Sequence, residues 1–271
     1  MVRYILYPSG LGQKAYGLNQ TPFILKSLIS GNSIKQTQDN IIKYNGSLKH
    51  NIRKLYETTR TTDKLNINIG GDHSMSIATV ASSLNTFKDL KVIWFDAHPD
   101  INTIDSSKTK NMHGTPLSFL TGLDYDKDFK FISNKLKFDN LLYVGLRELD
   151  HFEEEVIKTY NINTISCEDI NTNTESSIEK INDFIGNSPT HVSFDVDCLD
   201  PSIINCTGTK VKDGMLLEPT KQVLDNILDT NVVSIDITEL NLTLGTRHDK
   251  ETSLNNTIYL FDRYFDAEKL N

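Results

Sequence analysis

Cysteine is scarce: 271 residues contain only Cys167, Cys198 and Cys206. They are too few and too scattered for a disulfide framework or a CxxC metal knot, so a reducing compartment fits them. Basic charge is also in deficit, with 28 Lys and Arg against 36 Asp and Glu and a formal net charge of −8. An excess of that sign offers no electrostatic basis for wrapping nucleic acid or lying on an anionic membrane. No uncharged run approaches the ~18–20 residues a membrane helix needs. The opening MVRYILYP is too short and aromatic for a signal-peptide core. Repeats, heptads and long linkers are missing too. The charged and apolar fractions, 24% and 38%, are ordinary globular usage and argue against a disordered or fibrous chain. These absences leave a soluble cytoplasmic protein able to bury one large core, with 1–271 as a single domain.

What is present is alternation. Apolar runs at 2–7, 33–36, 65–69, 91–95, 141–145, 162–166, 191–195 and 232–237 read as strands. Several are unbroken and rich in Val, Ile and aromatics, as in parallel strands covered on both faces. Between them, 22–30, 43–60, 75–85, 114–122, 151–160, 174–185, 218–229 and 250–266 suit helices. In the last, Leu254, Ile258, Phe261 and Phe265 step by four, three and four, which lines one face for docking on a sheet. The expected fold is α/β, a three-layer α/β/α domain around a mainly parallel sheet of about eight strands joined by right-handed crossovers. Ligands of such sheets collect beyond the carboxyl ends of the strands.

Four of those ends carry unusual chemistry. One runs into Gly70-Gly71-Asp72-His73-Ser74, another into Asp96-Ala97-His98-Pro99-Asp100, a third delivers Asp195-Val196-Asp197, and the fourth ends in Thr238-Glu239-Leu240-Asn241. Side chains two apart in an extended segment point to one side, so Asp96, His98 and Asp100 converge, as do Asp195 and Asp197. With His73 they make four carboxylates and two imidazoles, more than one ion uses. Buried without a cation, four carboxylates would repel. A pair of divalent ions is the economical explanation; oxygen-rich, thiolate-free ligation favours Mn²⁺, with Fe²⁺, Co²⁺ or Zn²⁺ behind it. Asp72 and Asp200 read more simply as helix N-caps.

The segments GGDHS at 70–74, DAHPD at 96–100 and SFDVDCLDP at 193–201 resemble three signatures of the ureohydrolase superfamily, which comprises arginases, agmatinases and formiminoglutamases. The resemblance runs in order over most of the chain and is closest to the arginases. It implies two Mn²⁺ ions per chain, one held by His73, Asp96, Asp100 and Asp195, the other by Asp96, His98, Asp195 and Asp197. Asp96 and Asp195 would bridge, and Asp100 would orient a metal-bridging hydroxide. It also implies a homo-oligomer, a trimer or hexamer.

The loops select among substrates. Ile101-Asn102-Thr103 and Asn111-Met112-His113-Gly114 resemble the arginase pattern DINT…NxHGxP, in which Asn102, Asn111 and a hydroxyl, here Thr109, would grip an α-carboxylate. Asp150, in a stretch similar to GLRDxD, would receive an α-ammonium group. His113 would shuttle protons, because an imidazole titrates near neutrality. Glu239 resembles the Glu of EVNP, which accepts from the substrate guanidinium, and Thr209 would line that pocket. The implied function is manganese-dependent hydrolysis of L-arginine to L-ornithine and urea. Agmatinase, guanidinobutyrase and formiminoglutamase activities are the alternatives, then a catalytically silent metal-binding relative. Four features depart from the pattern: residues 9–22 fit it loosely, Leu242 replaces a proline, Glu148 replaces an Asp, and Lys108 and Lys110 enter the substrate loop. Cys198, beside a ligand, reads as a small buried hydrophobe.

Overall fold

The computed structural model describes residues 2–13, 15–29, 40–41, 46–60 and 65–265. Strands β1 (Val2–Tyr7), β2 (Asn40–Ile41), β3 (Leu65–Gly70), β4 (Lys91–Phe95), β5 (Leu141–Val144), β6 (Asn163–Ile165), β7 (Thr190–Asp195) and β8 (Val232–Thr238) form one sheet. Its order is β2-β1-β3-β8-β7-β4-β5-β6, and every pair is parallel. The strand expected at 33–36 falls outside the described residues, and the edge position is taken by the short β2.

The helices are α1 (Thr21–Ile29), α2 (Leu48–Thr59), α3 (Ser76–Thr86), α4 (Pro116–Thr121), α5 (His151–Thr159), α6 (Cys167–Thr172), α7 (Thr174–Ile185), α8 (Leu217–Leu228), α9 (Arg247–Leu260) and α10 (Asp262–Phe265). Most match the expected spans to within a few residues. Two differ for local reasons. The last helix starts early because Thr246 and Asp249 form a capping box, and it breaks at Phe261. The extra helix α6 is short and polar, opened by Ser166, whose hydroxyl accepts from the Asp169 N–H; nothing in its periodicity marks it out.

Strand alternation explains the three layers. On β4, Ile93 and Phe95 join one apolar cluster with residues of α7, α8, α9 and α10. Val92 and Trp94 join another with residues of α2, α3 and α4. Leu254, Ile258, Phe261 and Phe265 all pack in the first cluster, so the stepped face docks as expected.

The sheet departs from unbroken hydrophobicity beneath α3. Ile67, Ile69, Val192, Phe194, Ile235 and Ile237 face the first cluster, whereas the alternate residues Asn68, His191, Ser193, Ser234 and Asp236 are polar yet buried. They pair with one another and with α3. Asp236 Oδ2 accepts from Ser76 Oγ at 2.8 Å and Thr79 Oγ1 at 2.5 Å, and its Oδ1 accepts from Asn68 Nδ2 at 2.7 Å. His191 Nε2 stands 3.2 Å from the same carboxylate, whose pKa is lowered: burial alone would raise it, but the imidazole and the hydroxyls outweigh that. Buried polar groups survive only when paired in this way. The four motif-bearing strands β3, β8, β7 and β4 are contiguous at the middle of the sheet, so their carboxyl ends open on one spot.

Candidate functional site

The chain leaves β3 through Gly70 and Gly71 under tight control. Gly71 N–H donates to the Tyr7 carbonyl at 2.9 Å and Asp72 N–H to the Ser9 carbonyl at 2.9 Å. A Cβ at position 71 would overlap that Ser9 carbonyl, so the turn requires glycine. Asp72 caps the following turn through the Ser74 N–H at 3.0 Å and also accepts from Gly12 N–H at 2.7 Å, which ties the 9–13 loop down. It is a structural residue, as its sequence context suggests. Asp200 is another: it accepts from Ser202 N–H at 2.9 Å and Gly214 N–H at 3.2 Å.

His73 is fully buried at the end of this turn. Its ring stacks on Trp94 with centroids 4.2 Å apart, and its Nε2 lies 2.8 Å from Ser193 Oγ. That engagement leaves Nδ1 aimed at three carboxylate oxygens: Asp96 Oδ2 at 3.1 Å, Asp100 Oδ2 at 3.1 Å and Asp195 Oδ2 at 3.3 Å. None forms a well-directed hydrogen bond with it. His98 Nδ1 lies 3.1 Å from Asp197 Oδ2 and 3.4 Å from Asp96 Oδ1. Two groups therefore have the spacing of a metal site, His73 with Asp96 and Asp100, and Asp96 with His98 and Asp197. They share Asp96. Asp195 stands beside the first through His73 and beside the second through the Asp197 N–H, which donates to its Oδ1 at 2.8 Å.

The electrostatics are those of a site built for cations. Burial and the neighbouring Asp197 and Asp96 hold the Asp195 pKa well above the usual carboxylate range. Asp100 is pushed up to about 6 by burial and by Asp96. Burial opposes charge on the imidazoles, yet the carboxylates prevail: His98 is raised to about 12, mainly by Asp197 and Asp96, and His73 is raised well above its ordinary value by Asp100, Asp195 and Asp96. In the protein alone, protons on the histidines do part of the neutralising that divalent ions would do.

Above this floor lies a cavity of about 530 Å³, whose wall includes His98, Asp100, Asn102, Thr109, His113, Asp150, Asp195 and Thr209. Asn102 Nδ2 donates to Asp150 Oδ2 at 2.9 Å, and its Oδ1 accepts from Ser106 Oγ at 2.7 Å. Asp150 also caps α5 through the Glu153 N–H. Thr209 Oγ1 donates to Asp197 Oδ2 at 2.8 Å, so this hydroxyl supports a candidate ligand as well as lining the wall. His113 Nδ1 is 3.6 Å from Glu239 Oε1; burial lowers its pKa, but Glu239, Asp100 and Asp72 push it up to about 9. Asn111 donates its N–H to Thr109 Oγ1 at 3.2 Å and precedes the short turn Met112–Gly114 without a side-chain cap bond; it is not among the residues of the cavity wall. Lys110 is occupied by the Ile104 and Asp105 carbonyls, at 2.6 and 2.8 Å, while Lys108 reaches the wall. Cys198 is fully buried and its thiol is pushed well up by burial, in keeping with a packing role.

Sequence reasoning passed over several functional neighbours. Trp94, whose indole donates to Asp96 Oδ2 at 3.0 Å, and Ser193 each sit two residues before a candidate ligand. Strand alternation could have found both. Glu153 lines the cavity beside Asp150 and is raised to about 7 by burial, then by Asp150 and Asp100; its place three residues after a cap was the available signal. Gln13, which donates to Glu239 Oε2, had none. Arg147 donates to the Asp197 carbonyl at 2.7 Å and the Cys198 carbonyl at 3.2 Å, clamping the 196–198 turn. Asp100 (φ 49°) and Glu239 (φ 67°) occupy the left-handed region, strain of the kind that collects at functional sites.

A family model described as the arginase family matches residues 13–260. An arginase of Schizosaccharomyces pombe is 32% identical over 219 residues, covering 78% of this chain and 68% of that protein. An arginase of Glaciozyma antarctica is 36% identical over 193 residues, 67% of this chain and 56% of its own length. Among solved structures, Entamoeba histolytica arginase in complex with L-ornithine superposes with a TM-score of 0.89 at 28% identity, covering 97% of each chain. The matched stretch thus spans just over half to two thirds of those two sequence relatives and nearly all of the solved one. With three signatures and Glu239 on four contiguous strand ends and a match over 13–260, this chain belongs to the arginase family.

Proposed function

We propose that the chain, acting as one domain over 1–271, is a manganese-dependent arginase that hydrolyses L-arginine to L-ornithine and urea. The observation that carries this reading is the pair of ligand groups sharing Asp96 beneath a cavity whose wall holds Asn102 bonded to Asp150. The residues fit two divalent ions. His73 Nδ1 is buried and lacks a hydrogen-bond partner among the described residues, and four crowded carboxylates need positive charge. His73, Asp96, Asp100 and Asp195 would hold one ion, and Asp96, His98, Asp195 and Asp197 the other. When bound, the ions supply Lewis acidity that brings a water's pKa near neutrality and makes it a nucleophile.

The remaining work falls to this chain's own side chains. Glu239 accepts from the planar guanidinium and holds its carbon over the floor of the cavity. Asn102 and Thr109, with Ser107 alongside, receive the α-carboxylate, while Asp150 and Glu153 face the α-ammonium. The net reaction adds water across the bond from the guanidinium carbon to the δ-nitrogen; that bond breaks and the nitrogen leaves as an amine. Asp100 holds the proton released by the attacking water. His113, at the cavity wall with its pKa near 9, delivers a proton to the departing nitrogen. Mn²⁺ as the native metal, a cytoplasmic location and a homo-oligomeric assembly, trimer or hexamer, belong to the same reading. Three free, buried cysteines support the reducing compartment, and among the described residues no helix is long and apolar enough to cross a membrane.

The experiment is a substrate panel with Mn²⁺. L-Arginine should release urea far faster than agmatine or guanidinobutyrate, which lack the α-carboxylate or the α-ammonium; equal rates would contradict the clamp. Asn102→Ala should raise KM for L-arginine by about tenfold with a smaller effect on kcat, the expectation for a contact made equally in ground and transition states. An unchanged KM would remove Asn102 from the substrate site.

A further inference from the structure

We infer that Gln13 is a positioning residue that fixes the carboxylate plane of Glu239 for a guanidinium, and so sets the preference of this cavity for guanidino compounds over amines. The inference rests on the arginine-hydrolase reading above. Glu239 leaves β8 with φ 67°, its N–H bonded to the Gly71 carbonyl at 2.9 Å. Its Oε1 accepts from His73 N–H at 2.7 Å. One anchored oxygen does not set the plane, because the terminal torsion of a Glu side chain is broad. The second oxygen, Oε2, accepts from Gln13 Nε2, and the two donors together lock the plane. Each carboxylate oxygen has two acceptor sites, so both remain able to take a guanidinium N–H.

Gln13 is itself held from several directions. Gly12 N–H donates to Asp72 Oδ2 at 2.7 Å, and the Gly12 carbonyl accepts from Met112 N–H at 2.7 Å and His113 N–H at 3.3 Å. A side chain at position 12 would overlap the Asp72 carboxylate and the Ser74 hydroxyl, so the loop can approach this closely only through glycine. The Gln13 side-chain oxygen Oε1 lies 3.4 Å from where a Cβ at Gly208 would stand, so a side chain there would press on the amide. The donor is also neutral. A lysine or arginine in its place would pair with Glu239 and compete with the guanidinium, whereas an amide orients the carboxylate and leaves its charge for substrate. Ornithine carries an amine where arginine carries the fork, and a single ammonium makes no demand on the carboxylate plane.

The test compares Gln13→Met, which keeps the volume and removes the donor, with Gln13→Ala and Gln13→Glu in the Mn²⁺-loaded full chain. In the Met and Ala variants KM for L-arginine should rise about tenfold, while the Kd for L-ornithine stays within about twofold of the unsubstituted protein. Gln13→Glu, which sets like charges face to face, should lose more than either. A Gln13→Met protein with unaltered KM, or a parallel loss of ornithine affinity, overturns the inference while an active unsubstituted protein upholds the arginase reading. An unsubstituted protein that releases no urea from L-arginine overturns both, and that failure is visible before any variant is made.

Discussion

Asp195→Asn should lower urea release from L-arginine by at least about 10³-fold, roughly 4 kcal/mol of lost transition-state stabilisation, without weakening the metal-free fold. The amide keeps the shape of the side chain, and its oxygen can still accept from the Asp197 N–H, which now donates to Asp195 Oδ1 at 2.8 Å. Its NH₂ then occupies the position of Oδ2, 3.3 Å from His73 Nδ1, with no charge and no lone pair to offer a cation. Stability responds with the opposite sign. The folded pKa of Asp195 is raised well above its ordinary value by burial, Asp197 and Asp96. A carboxyl raised in the folded state binds its proton more tightly there than in the unfolded chain, so its ionisation costs stability once the pH exceeds the unfolded value. At neutral pH the metal-free Asp195→Asn protein should therefore melt at the same temperature as the metal-free parent or higher. Steady-state urea release and thermal melting with and without Mn²⁺ measure both. Retention of activity within a factor of about ten would remove Asp195 from the metal site; a large loss of metal-free stability would mean its role is in the fold.

The second large effect is at Glu239. Glu239→Gln should reduce kcat/KM for L-arginine by about 10²–10³-fold, the range for removing a charged, preorganised partner of the reacting group. The isostere can keep the acceptor for His73 N–H, 2.7 Å from Oε1. Its NH₂ would then face the Gln13 NH₂, donor against donor, and the attraction for the guanidinium is gone. The loss should exceed that of any Gln13 variant, since Gln13 acts only through Glu239. A Glu239→Gln enzyme as active as the parent would leave the guanidinium without its anchor in this account.

The acidic floor of the site was legible because its signal is local. The runs at 70–74, 96–100 and 195–197 each place their chemistry within a few residues at a strand end; Asp96, His98 and Asp100 lie just beyond β4 in a bend, with Asp100 at φ 49°, so that local bend rather than strand alternation brings them together. The parallel sheet was legible for the same reason, as each run is short, apolar and followed by an amphipathic stretch. Less legible were features that depend on distant segments meeting. The 9–13 loop reaches Glu239 across 226 positions of sequence through Gln13, and no periodicity announces such a contact. The buried polar layer under α3 reads in sequence as ordinary strand content, because Ser193 and Asp236 acquire partners only when β7, β8 and α3 pack. Asn111 shows the reverse case: a motif position that the structure leaves outside the cavity wall, its backbone N–H bonded to Thr109.

The most direct measurement is of the products formed from L-arginine by the Mn²⁺-loaded chain. L-Ornithine and urea should appear in equal amounts, both should be lost when a chelator strips the metal, and both should return when Mn²⁺ is restored to the still-folded protein. A folded, metal-loaded protein that forms neither product, or one whose turnover is indifferent to chelation, would contradict the metal-dependent arginase reading.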